Sequence, residues 1–127
     1  MRCIRLTTLS IGLALGAMSV LAADVSGKWT SEFETMVGPQ KYVFDLKVDG
    51  EKLTGKASFE RMGQKGEAEL LEGKLVGDQI SFVEMLDFQG NAIRITYKGT
   101  VKGDEIAMTR QVGDFATEQI VARRAKN

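Results

Sequence analysis

The chain has 127 residues, with 17 basic and 17 acidic side chains, one cysteine and no histidine. This balance leaves no strongly basic surface for nucleic acid. The missing histidine excludes serine-histidine-aspartate catalysis and the usual zinc sites.

Residues 1–22 have the three parts of a secretory signal peptide. Arg2 and Arg5 give a positive start, a largely apolar stretch follows, and the segment ends in small residues. An uncleaved anchor is the alternative, since the apolar stretch approaches the roughly 20 residues that span a bilayer. Hydroxyl residues within the apolar stretch favour cleavage over anchoring. We therefore interpret the segment as a bacterial Sec-type signal peptide. We therefore expect one domain, 23–127, that is periplasmic or secreted and not membrane-integral.

The only cysteine, Cys3, falls within the predicted signal peptide. The exported domain would therefore form no disulfide, even in an oxidising compartment. Its stability would have to come from its sheet and its hydrophobic core.

Apolar residues recur at every second position in most of the exported domain, as in strands with one buried and one wet face. Similar segments that begin at Gly50, Gly77 and Gly103 are typical of tight hairpin turns. These patterns predict eight strands. The expected ranges are 26–35, 41–48, 52–60, 67–76, 79–86, 92–102, 105–112 and 117–124.

Short connections favour sequential antiparallel pairing, and closing the sheet removes its exposed edges. The predicted fold is therefore all-β, an eight-stranded antiparallel up-and-down β-barrel. The glycine turns share one end, and connections 36–40, 61–66, 87–91 and 113–116 share a looser end, where a mouth is expected. Charged residues on the outward face disfavour an outer-membrane barrel, whose lipid-facing positions are apolar. They are Asp45, Lys47, Lys56, Arg94 and Lys98.

The inward alternation, continued toward the looser end, reaches Tyr42, Glu84 and Arg110, and Glu69 joins them if Leu71 and Leu75 face inward. A buried charge is costly unless it is paired. One interpretation is therefore a structural ion pair between Glu84 and Arg110. The others are a polar anchor for a ligand in an apolar pocket, and general acid–base catalysis by Glu84.

Two further sets of residues bear on a pocket. Phe88 and Phe115 are either aromatics that touch a ligand at the mouth or lids packed on the barrel end. Small inward residues could leave room inside the barrel. These are Ser31, Gly55, Ala57 and Gly99.

The segment Gly27-Lys28-Trp29 opens the first strand, and Arg123-Arg124 closes the last. This pair resembles the signature of calycins, the group of avidins, lipocalins and fatty-acid-binding proteins. The resemblance implies that Gly27, Trp29 and Arg123 or Arg124 close the barrel floor. Biotin binding is not implied, because avidins line that site with several tryptophans and this chain has one. The domain also resembles a broad group of small secreted bacterial β-proteins, which implies a fold but no activity.

The expected function is a secreted or periplasmic, non-catalytic barrel that binds a small, largely apolar ligand. No metal or cofactor is expected, and oligomerisation is left open. A cofactor-free isomerase or cyclase, or a carbohydrate hydrolase with two carboxylates, is one alternative. Another is an interaction module that uses an exposed face of Val43, Val83 and Met85.

Overall fold

The structure, a computed structural model, describes residues 24–125, so the predicted signal peptide lies outside the described residues. Among these residues, no helix is long and apolar enough to cross a membrane. The regular elements are β1 (Gly27–Thr35), β2 (Gly38–Asp49), β3 (Lys52–Arg61), β4 (Gln64–Glu69), β5 (Leu71–Val76), β6 (Gln79–Phe88), β7 (Asn91–Lys102), β8 (Glu105–Val112) and β9 (Ala116–Arg124).

The strands form one antiparallel sheet that closes when β1 pairs with β9. Nine segments occupy eight positions around the ring, because β4 and β5 both pair with β3, one after the other. The predicted eight-stranded up-and-down barrel is thereby confirmed. The architecture is compatible with a calycin-like fold.

The predicted strand 67–76 is divided at Leu70, and this division reverses the inward alternation. Glu72 has a φ of 53°, and the register with β6 shifts between Leu71 and Lys74. Such a bulge inserts one extra residue and moves the following side chains to the other face. Leu75 therefore points into the core, whereas Glu69 is exposed on the outside. The sequence placed Glu69 inside the barrel on the condition that Leu71 and Leu75 face inward. That placement was wrong, because the bulge lies between Glu69 and Leu75 and reverses the alternation.

Aromatic rings fill the middle of the barrel. Tyr42 stacks on Phe44 with 5.3 Å between ring centroids, and Phe82 stacks on Tyr97 at 4.7 Å. The two stacks meet through Phe44 and Tyr97, whose centroids are 5.5 Å apart. All four side chains are buried. Aromatic pairs at these separations add to the free energy gained by burying their area.

The inward glycines do not leave the room that the sequence led us to expect. A Cβ atom at Gly55 would lie 2.0 Å from the carbonyl oxygen of Asp45, and one at Gly99 would lie 2.4 Å from that of Ala107. Glycine therefore serves here to let neighbouring strands approach closely as the sheet bends into a barrel. Ala57 is buried in the hydrophobic core.

The floor of the barrel forms at the end that carries the Gly50, Gly77 and Gly103 turns. There the Trp29 indole N–H donates to the carbonyl of Val25 at 2.9 Å. The Arg124 guanidinium lies 4.4 Å from the centre of the indole ring. Arg123 instead points outward and pairs with Glu105. Of the two arginines, Arg124 is therefore the one that packs on Trp29, beside Gly27.

The opposite end, here called the distal end, carries the turns 36–37, 62–63, 89–90 and 113–115. The sequence predicted longer connections at this end, and that prediction was wrong. Strands β2, β4 and β7 begin earlier than expected, at Gly38, Gln64 and Asn91. No long loops surround a mouth among the described residues.

Candidate functional site

A cluster of polar side chains fills the distal half of the barrel interior. Each member occupies an inward position in the middle or distal part of its strand, and together they come from six strands. The members, here called the polar cluster, are Gln40 and Tyr42 of β2, Arg61 of β3, Glu84 of β6, Tyr97 of β7, Arg110 of β8 and Glu118 of β9.

Glu84 lies at the centre of the cluster, with 0% of its surface exposed. Its carboxylate accepts hydrogen bonds from the hydroxyl of Tyr42 at 3.1 Å and from that of Tyr97 at 2.9 Å. The guanidinium of Arg61 donates to the same carboxylate at 2.7 Å. A carboxylate held by a cation and two hydroxyls meets the condition under which a buried charge is tolerated.

Arg110 is the second buried charge, and its partners differ from the predicted one. Its Nε donates to the Tyr97 hydroxyl at 3.0 Å, and Nη1 donates to Glu118 at 2.6 Å. Nη2 reaches the Tyr42 hydroxyl at 3.2 Å. The predicted direct ion pair between Glu84 and Arg110 was therefore wrong. The hydroxyls of Tyr42 and Tyr97 lie between the two charges. Glu84 pairs instead with Arg61, and Arg110 pairs with Glu118.

Sequence reasoning found Tyr42, Glu84 and Arg110 but placed Arg61 in the connection 61–66 and not among the inward side chains. The alternation that places Ala57 and Phe59 inward continues one step further to Arg61, and this was the available signal. The Arg61 guanidinium lies 3.7 Å above the centre of the Phe59 ring, and its Nε is buried without a hydrogen-bond partner. Packing against an aromatic face lets this charge sit at the edge of the interior.

Both tyrosines of the chain belong to the cluster, and their hydroxyls are held in the neutral form. Burial raises the pKa of Tyr97 well above its usual value, and the nearby Glu84 carboxylate raises it further. The pKa of Tyr42 is also raised, by burial first and by Glu84 second. An ionised phenolate here would lack solvent and would face a like charge.

We expect alkaline titration to show no tyrosinate before the barrel unfolds. Because the folded pKa exceeds the unfolded value of about 10, the stabilisation is complete below that pH and is lost as the pH rises above it. Tyrosinate absorbance, which here reports only Tyr42 and Tyr97, should therefore rise together with the loss of β-sheet circular dichroism. An absorbance rise near pH 10 that precedes unfolding would contradict this expectation.

Backbone pairing around the barrel is incomplete at two places, and both lie toward the distal end. Strands β1 and β9 pair only at Trp29–Arg124 and Thr30–Arg123. On the other side, the pairing of β6 with β5 ends at Val83, and β4 pairs with β3. Toward the distal end the wall thus consists of two paired groups, β1–β4 and β6–β9.

The polar cluster joins these two groups where backbone pairing does not. Tyr42 and Arg61 of the first group both bind Glu84 of the second. Arg110 of the second group reaches Gln40 and Tyr42 of the first. The cluster therefore has a structural role: side-chain hydrogen bonds replace a missing backbone ladder.

The gap between β1 and β9, here called the seam cleft, is an open groove of about 480 Å³. Phe33, Ile120 and Val121 contribute apolar side chains to its lining, and the other lining residues are polar, with Glu32 and Arg123 carrying charges. The Ser31 hydroxyl donates to the Val121 carbonyl at 2.7 Å, at the point where the strands separate. This bond satisfies a carbonyl that would otherwise lack its ladder partner.

The remaining predicted residues lie apart from the polar cluster. Phe88 and Phe115 are exposed at the distal turns and do not cover the barrel end as lids. Val83 is buried, so the predicted exposed face of Val43, Val83 and Met85 is not continuous. Val43 and Met85 are exposed on different strand groups.

No family model, curated protein or solved structure gives a significant match to this chain. Within residues 24–125, histidine, cysteine and acidic side chains form no group of three or more that could hold a metal ion. Support for a function therefore comes from the geometry of the residues themselves.

Proposed function

We propose that this chain is an exported, non-catalytic β-barrel that binds a small molecule with an apolar body in the seam cleft. The observation that carries the proposal is the opening of the barrel wall between β1 and β9. Its apolar side chains Phe33, Ile120 and Val121 would contact the body of the ligand, and the charges of Glu32 and Arg123 would orient a polar end. Export is supported by the features of residues 1–22, and a calycin-like relationship would agree with a binding role.

Binding at the cleft is preferred to binding or catalysis at the polar cluster. Glu84, Tyr42 and Arg110 are buried, and their polar atoms are already hydrogen bonded to one another. A substrate would have to break several of these bonds to reach Glu84, and each group left unpaired would cost free energy. The seam cleft needs no such rearrangement.

The test uses 1-anilinonaphthalene-8-sulfonate, a fluorescent probe with an apolar body and one charge. Val121→Trp should fill the cleft from its rim and raise the dissociation constant of the probe at least tenfold. Thr54→Trp is the matched control, because Thr54 is exposed on β3, away from the cleft. It should leave the constant unchanged.

Amide chemical shifts locate the bound probe. The proposal requires the shifts to concentrate at residues 31–33 and 119–121. Shifts confined to the distal turns, or equal weakening by both tryptophan variants, would overturn it. Circular dichroism establishes that each variant is folded before binding is compared.

A further inference from the structure

The distal turns and the strand ends beside them expose large apolar side chains, at places where hairpins usually carry polar residues. Five such side chains lie in or next to the four turns that share this end. Their exposed fractions are 81% for Met36, 56% for Val37, 69% for Met62, 52% for Phe88 and 70% for Phe115. Single exposed apolar residues are ordinary, but among the described residues every large apolar side chain that is more than half exposed lies at this end.

The floor end shows the opposite composition. Its three turns each pair a glycine with an exposed acidic residue, and those acids are Glu51, Asp78 and Asp104. The barrel is therefore amphipathic along its axis, with apolar turn tips at one end and acidic tips at the other.

The conformation of two tips indicates that the apolar side chains are held in place. Met62 has a φ of 52° and Gly63 a φ of 82°, a left-handed turn whose first position is usually Asn, Asp or Gly. A methionine there carries backbone strain that those residues would avoid. The Phe115 N–H donates to the Val112 carbonyl at 2.9 Å, which fixes the turn that displays the ring.

We propose that the distal end inserts its apolar turn tips into the surface of a phospholipid membrane. The tips lie on separate turns with polar residues between them, such as Gln64, Asp87 and Asp114. A rigid protein surface would need a matching pocket for each tip, whereas acyl chains adapt to any spacing. Flexible methionine side chains suit that environment.

The charges near the tips define the kind of membrane. Within four residues of these turns the exposed acids Glu32, Glu34, Glu67, Asp87 and Asp114 outnumber the exposed bases Lys41, Lys65 and Arg94. Anionic headgroups would be repelled by this excess, so the partner is a zwitterionic phospholipid surface. The apolar tips would enter the acyl boundary while the flanking charges stay at headgroup depth.

The test is co-sedimentation of the purified protein with vesicles of 1-palmitoyl-2-oleoyl-phosphatidylcholine. Mass spectrometry first verifies that the leader is absent, since residues 1–22 would bind vesicles by themselves. Phe115→Ser and Met62→Ser should each lower the partition coefficient about tenfold, because each removes one large apolar side chain from the lipid. Val76→Ser is the matched control: it removes an exposed valine beside the floor turns and should change nothing.

The orientation is read from fluorescence quenching by brominated phosphatidylcholine. Phe115→Trp should be quenched, whereas Trp29 in the unmodified chain, buried at the floor, should not. Three results would overturn the proposal: no sedimentation with phosphatidylcholine, stronger binding when phosphatidylglycerol is added, or equal loss in the Val76→Ser control. Concentration-dependent self-association without lipid that Phe115→Ser abolishes would identify a second copy as the partner instead.

Discussion

Replacement of Glu84 by alanine is expected to lower the free energy of unfolding by about 3 to 5 kcal/mol. The carboxylate is the common acceptor for Arg61, Tyr42 and Tyr97. Its removal leaves the mostly enclosed Arg61 guanidinium without its counter-charge and two buried hydroxyls without an acceptor. The two strand groups would also lose bonds that hold them together toward the distal end. Since small domains are stable by about 5 to 15 kcal/mol, this loss is a large fraction of the total free energy of unfolding.

Urea denaturation followed by circular dichroism measures this loss. Glu84→Gln should lose less, about 1.5 to 3 kcal/mol, because the amide oxygen can still accept from a hydroxyl but carries no charge for Arg61. Glu67→Ala is the control: Glu67 is exposed on β4, and its change should stay within about 0.5 kcal/mol. Equal midpoints for Glu84→Ala and Glu67→Ala would show that the polar cluster does not hold the barrel together.

Substitution of Gly55 by alanine should cost at least about 4 kcal/mol, in the range reserved for severe strain or overpacking. Gly55 has a φ of 152°, and a Cβ atom there would lie 2.0 Å from the Asp45 carbonyl oxygen. The obstacle is backbone, which cannot move aside as a side chain could. The pairing of β2 with β3 would have to open at this point.

Gly50→Ala is the matched comparison, because it makes the same chemical change in the turn that precedes β3, the strand that contains Gly55. Gly50 has a φ of 65°, but nothing lies within 4 Å of a Cβ atom built there. This variant should therefore lose only about 1 to 2 kcal/mol, the penalty for a left-handed residue with a side chain. Urea midpoints and the yield of folded protein measure both. Similar losses in the two variants would mean that the cost of Gly55→Ala comes from the backbone conformation and not from the close contact between β2 and β3.

Alternation of apolar residues was sufficient to predict the barrel, because side chains in a strand point to opposite faces in turn. The same reasoning brought Tyr42, Glu84 and Arg110 to one end of the interior. The glycine turns at Gly50, Gly77 and Gly103 fixed which strand ends lie together. Local sequence therefore determined the identity of the strands and the direction in which most side chains point.

The partners within the polar cluster could not be predicted in the same way. Which hydroxyl lies between Glu84 and Arg110 depends on distances across the barrel, and these follow from the packing of all the strands. The bulge at Glu72 was missed because a single non-glycine residue with positive φ leaves no pattern in the sequence. The seam cleft was missed because incomplete closure is a property of the pairing between β1 and β9, which are far apart in the chain.

The seam cleft also affects how copies of the chain meet. An unpaired strand edge can template further strands and so extend a sheet from molecule to molecule. If two β1 edges paired antiparallel about Phe33, Glu32 of one copy would face Glu34 of the other, and both residues are exposed. Like charges directly opposite each other destabilise such a pair. The barrel wall can thus remain open along the β1 edge, because Glu32 and Glu34 would destabilise a sheet that continued across this edge into a second copy.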